Sequence, residues 1–336
     1  MADDTPHPRE VFDYLGGEAV EGAFLDALKR GRLHHAWLLT GPEGVGKATF
    51  AYRAARRLLG ANPAPRYGLL GAGPEDPVAR QIIARAHPDL LALQRDPEDG
   101  KARKGIPVEE ARGLPEFFAK SPATAPYRVA IIDTADDLNA SAANAVLKTL
   151  EEPPERGVLF LISHTPGALL PTLRSRCRRL RFTAPPAEAA VPWVAARSGL
   201  DIESALRLLR MARGAPGRAW RLATQGALAA DDAARTLLDH LPRVDEPAML
   251  AMSDGFRGAA GAARFDLLFD RLADHVHERV SRRALEGGEE VGEGRAQDAW
   301  AEIWDLLVTL PRQVEAVNLD RSDAFFTALS RLRAIA

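Results

Sequence analysis

Apolar and polar positions along this chain fall into two regimes. In the first half, short continuous apolar runs recur: Ala36-Trp37-Leu38-Leu39, Asp89-Leu90-Leu91-Ala92-Leu93, Val129-Ala130-Ile131-Ile132-Asp133 and Val158-Leu159-Phe160-Leu161-Ile162. Runs of this length without polar interruption suit strands covered on both faces, so they predict a parallel sheet with helices between its strands. Helices are expected over residues 50 to 59, over 108 to 119, and after Asn139, a capping residue followed by Ala143, Val146, Leu147 and Leu150 on one side and stopped by Pro153-Pro154. Pro115 predicts a kink or break in the second of these. Residues 60 to 80, rich in Gly and Pro, read as a loop insertion, and residues 94 to 104 as a polar loop.

Beyond Pro185-Pro186 the pattern is helical only, which marks a boundary. Asp201 caps a helix through Leu206, Leu209 and Met211 that closes at Gly214, and a second helix covers residues 218 to 225. Longer amphipathic helices follow from about Leu228. Phe265, Leu268, Phe269 and Leu272 share one helical stripe, as do Trp300, Ile303, Trp304 and Leu307, and ordinary bundle core is the expected role of both. Residues 287 to 295 read as an acidic, glycine-rich connector. The fold class is therefore α/β followed by all-α, divided at 1–184, 185–226 and 227–336.

Composition narrows the picture. A chain of 336 residues favours two or three domains, and 46% hydrophobic with 27% charged residues suits large cores under a solvated surface. A net charge of −2 argues against a freestanding nucleic-acid binder held by a global basic field. The single cysteine, Cys177, excludes an intramolecular disulfide and a multi-cysteine zinc site. No signal pattern opens the chain and no apolar run is long enough to cross a bilayer, so the cytoplasm is the expected location.

The chemistry centres on Gly41-Pro42-Glu43-Gly44-Val45-Gly46-Lys47-Ala48-Thr49, set between the first strand and a helix as the G-x-x-x-x-G-K-[ST] motif requires. Gly41, Gly44 and Gly46 let backbone N–H groups converge on phosphate oxygens at a helix N-terminus, and Lys47 would add charge near the β and γ phosphates. Magnesium is normally held by a Ser or Thr directly after that lysine, yet the position is Ala48. Thr49 lies about 100° further round the helix and does not substitute for it. Asp133, closing the Val129 strand, is the candidate metal carboxylate. A hydrolytic site would next place a water-orienting glutamate; here stands Thr134, whose hydroxyl is not a base at neutral pH. Little or no ATP hydrolysis by the isolated chain is expected. The plainer alternative is a glycine-rich turn without a ligand. Downstream, residues 173 to 182 hold five arginines and no acid; Arg178, Arg179 and Arg181 read as flanking an edge strand on the surface, whereas Arg176 stands apart.

Asn144-Ala145-Val146-Leu147-Lys148-Thr149-Leu150-Glu151-Glu152-Pro153-Pro154, followed by Ser175-Arg176-Cys177 and joined to the phosphate loop and to His87-Pro88-Asp89, closely resembles the AAA+ clamp-loader family of bacterial DNA polymerase III. These motifs cover the first domain; the helical remainder matches in order and size only. Lys47-Ala48 and Asp133-Thr134 resemble the delta-prime branch rather than the tau/gamma motors. So do Gly214-Ala215-Pro216-Gly217-Arg218, where a motor's sensor arginine would fall on Gly217, and His164, where Asn or Thr is more usual.

The resemblance implies an AAA+ P-loop domain over 1–184, a small helical lid over 185–226 and a C-terminal collar over 227–336. It implies a stator that helps place a sliding clamp on primed DNA, with motor (tau/gamma) and wrench (delta) subunits as partners. The clamp would be met through the complex and primer-template DNA within it. Ser175-Arg176-Cys177 would be an interface motif presenting Arg176 as an arginine finger to ATP on the neighbouring subunit, worth about 10³ to 10⁵ in rate where measured elsewhere. Lys148 is implied to lie near the ring interior, where it either approaches DNA or is solvated. Its own loop is a degenerate nucleotide site compatible with weak ATP binding. Many family members carry four zinc-binding cysteines before His-Pro-Asp; residues 60 to 86 contain none, so no zinc is expected. A hydrolytic tau/gamma-type motor and, from another class, a small-molecule phosphotransferase are the rival readings. No polymerase carboxylate constellation is present.

Overall fold

The uninterrupted apolar runs form the centre of a sheet, as dual-face burial demands. The computed structural model describes residues 5–95, 105–286 and 293–335. Its α/β part runs α1 (Glu18–Lys29), β1 (Ala36–Thr40), α2 (Lys47–Leu58), α3 (Pro77–Ile83), β2 (Leu90–Gln94), α4 (Val108–Ala119), β3 (Arg128–Asp133), α5 (Ala140–Glu151), β4 (Gly157–Ser163), α6 (Pro171–Ser175) and β5 (Arg178–Arg181). The strands form a five-stranded sheet in the order β2-β3-β4-β1-β5, every pairing parallel. Register and alternation then sort the side chains: Trp37, Leu39, Val129, Ile131, Phe160 and Ile162 pack on the face covered by α1 and α2. Leu38, Ala130, Ile132, Leu159 and Leu161 pack on the opposite face with α4 and α5.

Several expectations are modified. Helix α4 continues through Pro115, which faces solvent while Ala111, Leu114 and Phe118 bury the other side, so packing sustains the helix past the residue that would stop it in isolation. The Gly/Pro-rich segment holds a 3₁₀ turn, Pro65–Tyr67, and then α3, whose Asp76 accepts from the Val78 and Ala79 N–H groups. Helix α1 is an element that the apolar pattern does not predict. Residues 96–104 of the expected polar loop and 287–292 of the expected connector lie outside the described residues.

Three further helices continue from the sheet, α7 (Ala187–Ser198), α8 (Ile202–Met211) and α9 (Pro216–Thr224). Asp201 caps α8 as expected, accepting from the Ser204 N–H, but the buried face is Ala205, Leu208 and Leu209 rather than Leu206. The last five helices are α10 (Ala227–Asp239), α11 (Glu246–Asp254), α12 (Gly258–Glu286), α13 (Glu293–Val317) and α14 (Arg321–Ile335). Contacts divide the chain into two compact units, with the second beginning at Arg221. The core of the second holds the whole Phe265 stripe with Trp300, Ile303, Leu307, Phe325 and Leu329. Trp304 departs from its stripe and stands 40% exposed.

Buried charge holds the first unit together in ways composition alone conceals. Arg53, in the middle of α2, and Arg56, in its last turn, are each only 1% exposed. Arg53 pairs with Glu21 of α1 at 2.6 Å and also donates to the Phe12 and Tyr67 carbonyls. Arg56 donates to the Val11 and Arg9 carbonyls and lies 4.2 Å from the centre of the Phe12 ring. Two guanidiniums thus tie the N-terminal segment to the helix that follows the phosphate loop.

Candidate functional site

Parallel pairing carries the C-terminal ends of β1, β3 and β4 to one edge of the sheet, and there the phosphate loop, Asp133 and His164 converge. The loop between β1 and α2 keeps the form of a phosphate cradle. Gly44 and Gly46 adopt φ of +80° and +91°, a region that L side chains rarely enter. Space forbids substitution as well: a Cβ on Gly44 would stand 2.3 Å from the Arg218 backbone nitrogen, and one on Gly46 2.5 Å from the Tyr14 ring. The Gly217 N–H donates to the Gly44 carbonyl at 2.9 Å, so the start of α9 rests directly on the loop.

Lys47 opens α2 and is 3% exposed. Its ammonium donates to the Gly41 and Pro42 carbonyls, both at 2.6 Å, and thereby caps its own loop. Burial pulls it down to about 8 against the opposing pull of the Asp133, Glu43 and Asp136 carboxylates. Between about pH 8 and 10.5 the unfolded chain therefore holds a proton on Lys47 that the folded chain has shed, so stability contributed at this position rises with pH in that window. Comparing pH-dependent urea unfolding of wild type and Lys47→Met checks this: the wild type should gain roughly 2–3 kcal/mol relative to the variant across the window. Parallel curves would show that Lys47 titrates normally.

The hydrolytic parts are missing or otherwise engaged. Ala48 offers no oxygen, and Thr49 is half-buried one position on. The Thr134 hydroxyl donates to Asp137 at 3.2 Å. Asp137 also pairs with Arg95 at 2.9 Å. The His164 imidazole is held below its ordinary range by burial and by the Lys47 charge, so it is neutral at pH 7. Its Nδ1 is buried without a hydrogen-bond partner. These residues do not fit magnesium-dependent ATP hydrolysis. The acid that organises the edge is Asp136, which sequence reasoning did not assign: it accepts from the Ser163 hydroxyl at 2.8 Å, the His164 N–H at 2.6 Å and the Thr165 hydroxyl at 3.0 Å. The signal available for it was the Ser163-His164-Thr165 run at the end of β4.

The Ser175-Arg176-Cys177 motif lies elsewhere on the first unit. Ser175 ends α6, Arg176 caps it, and Cys177 leads into β5. The Arg176 side chain is 37% exposed; Nη1 donates to the Thr172 carbonyl at 3.0 Å and Nη2 lies 3.0 Å from Glu151 Oε1. Ser175 Oγ donates to the same Thr172 carbonyl. Burial pushes the Cys177 thiol up to about 12, which makes it an anchor and not a nucleophile. β5 is the sheet edge, with Arg178, Arg179 and Arg181 exposed. Arg178 packs over the Trp37 ring at 4.9 Å, and Arg179 Nε donates to the Thr40 hydroxyl. Lys148 is exposed on α5.

His87-Pro88-Asp89 is structural. Asp89 is fully buried and accepts from the Ala123, Thr124 and Ala125 N–H groups at 2.7, 2.9 and 3.1 Å and from Arg128 Nε at 3.2 Å.

Comparison with known proteins adds an independent line. A family model described as "DNA polymerase III, delta subunit" matches residues 17–186. DNA polymerase III subunit delta' of Pseudomonas aeruginosa is 37% identical over 227 residues, covering 67% of this chain and 63% of that protein. The Escherichia coli subunit of the same name is 35% identical over 192 residues, covering 57% of this chain and 55% of that protein. The Escherichia coli tau subunit is 34% identical over 178 residues, 53% of this chain but 26% of that protein. The chain thus matches less than two thirds of the length of each of these relatives.

Proposed function

Because the chain belongs to the DNA polymerase III, delta subunit family and is delta-prime-like within it, we propose that it serves a clamp loader as a non-hydrolysing stator that completes a neighbour's ATP site. The observation that carries this reading is the division of labour between two places in one domain. The phosphate loop is capped by its own lysine and lacks the hydroxyl of a hydrolytic centre, and Thr134 stands where the base would be, whereas Arg176 stands at the surface with contacts to Glu151 and Thr172 and none to that loop. A guanidinium so placed suits a γ-phosphate presented from outside, where it would neutralise charge developing in the transition state.

In this reading residues 185–226 act as a lid, whose Gly217 N–H already meets the phosphate loop, and residues 227–336 form the collar. Motor (tau/gamma) and wrench (delta) subunits are the partners, and sliding clamp and primer-template DNA are met through the assembly in the cytoplasm. Among the described residues no helix is long and apolar enough to cross a membrane. A phosphotransferase gains no support, because the loop has Ala48 where the magnesium-binding hydroxyl belongs.

The purified chain alone should turn over ATP no faster than Lys47→Ala, while adding it to the motor and wrench subunits should raise their DNA- and clamp-stimulated ATPase. Lys47-dependent turnover by the isolated chain would replace this reading with that of a motor.

A further inference from the structure

The Thr-Leu-Glu-Glu-Pro-Pro motif and the Ser-Arg-Cys motif, distant in sequence, meet in space through one pair. We propose that Glu151 is a positioning residue for Arg176, setting its guanidinium before a neighbouring subunit's nucleotide arrives; this rests on the trans-acting reading of Arg176 given above.

Helix α6 is short, and it is held from behind at its middle and just beyond its C-terminal end. Leu173, 1% exposed, is buried in the α4–α5 face of the core, and Cys177 packs against the same cluster. Arg176 lies between the anchoring Leu173 and Cys177, with its backbone at φ −96° and ψ 0° in the capping position. Its side chain turns back along α6 so that Nη1 meets the Thr172 carbonyl while Nη2 meets Glu151, the last residue of α5. A hydrogen bond to one element and an ion pair to another hold the guanidinium, and its Nε–H is left for an incoming oxyanion.

The same geometry explains why the partner is a half-exposed carboxylate. Glu151 is 53% exposed at the side chain and Arg176 37%, so water screens their attraction and the arginine keeps its usefulness toward a second anion. What the contact supplies is direction. A free surface arginine spreads over many rotamers, and that freedom would be lost on engaging a phosphate; an arginine already held loses less. The effect belongs in the rate of the neighbour's chemical step, where orientation counts, more than in its affinity for ATP.

The test uses the reconstituted assembly, with gel filtration to verify its composition, and measures stimulated ATPase for wild type, Glu151→Ala, Glu151→Gln, Arg176→Ala and the Glu151→Ala/Arg176→Ala pair. Glu151→Ala should lower kcat about 3- to 10-fold with KM for ATP within about 2-fold. Glu151→Gln, which keeps an acceptor oxygen, should restore most of the loss. In the Arg176→Ala background Glu151→Ala should do nothing further, since its target is gone. Unchanged kcat in Glu151→Ala, beside a damaged Arg176→Ala, would reduce the pair to surface packing and overturn the positioning role alone. A raised kcat would also overturn it, because the carboxylate would then be withholding the arginine. If Arg176→Ala is itself without effect, the trans-acting reading fails and the positioning role falls with it.

Discussion

Replacing Arg176 by alanine should lower turnover at the neighbouring subunit's ATP site by roughly 10-fold or more while leaving the reconstituted assembly intact. Arginine fingers supply about 10³ to 10⁵ in rate in other systems, so a 10-fold loss is the least that a finger's removal should produce. The structure supports a clean experiment. Arg176 is partly exposed and its pair with Glu151 is screened, so the substitution should cost less than about 1 kcal/mol of folding stability. Steady-state analysis then distinguishes roles: a finger acting in the transition state lowers kcat and kcat/KM together, whereas a lost binding contact raises KM with kcat unchanged. Arg176→Lys should remain impaired, since an ammonium does not reproduce the planar fork. Normal turnover by Arg176→Ala in a correctly assembled complex would remove the catalytic contribution and leave scaffolding.

Much of the α/β architecture was legible because burial on both faces leaves a direct trace in sequence. Four apolar runs became β1 to β4, and the Asn139 and Asp201 caps were identifiable from residue type and position alone. The phosphate loop was legible for the same local reason, its glycines and lysine lying within a few residues of one another. What escaped depends on partners distant along the chain. Arg53 and Arg56 are read as surface residues by any composition rule, yet their donors are used by carbonyls of residues 9 to 12 and by Glu21 and Tyr67, contacts that exist only after the N-terminal segment folds over α2. Asp136 was passed over because its three donors come from the end of another strand. Pro115 misled because local propensity is weaker than the packing of Leu114 and Phe118. The pairing of Glu151 with Arg176 could not be inferred from either motif alone, since it arises where α5 and α6 meet.

Loss of Asp89 should damage folding more than loss of any loop residue. Its carboxylate has no water to fall back on: three backbone N–H groups and Arg128 converge on it, and Arg128 is itself 8% exposed. Arg128 also donates to the Phe117 carbonyl and lies over the Phe117 ring, so the pair ties the C-terminal end of α4 to the start of β3. Asp89→Ala leaves a buried guanidinium without its carboxylate and three amides without their acceptor, which should cost about 3–5 kcal/mol. Against a typical total of about 5–15 kcal/mol this is a large fraction. Thermal unfolding followed by circular dichroism should register it as a fall of roughly 6–20 °C in Tm. The pH dependence provides an independent signature. Burial pushes the Asp89 carboxyl up, but the three amides and Arg128 outweigh it and hold it below the usual carboxylate range. The unfolded chain then takes up a proton on Asp89 before the folded chain does, so the stabilisation is complete above about pH 4 and is lost as the medium becomes more acid. The Asp89→Asn/Arg128→Met variant removes both charges and should lack that acid-sensitive component while recovering part of the stability lost in Asp89→Ala. A Tm within about 2 °C of wild type for Asp89→Ala would show that the His-Pro-Asp motif is not the structural tie its geometry describes.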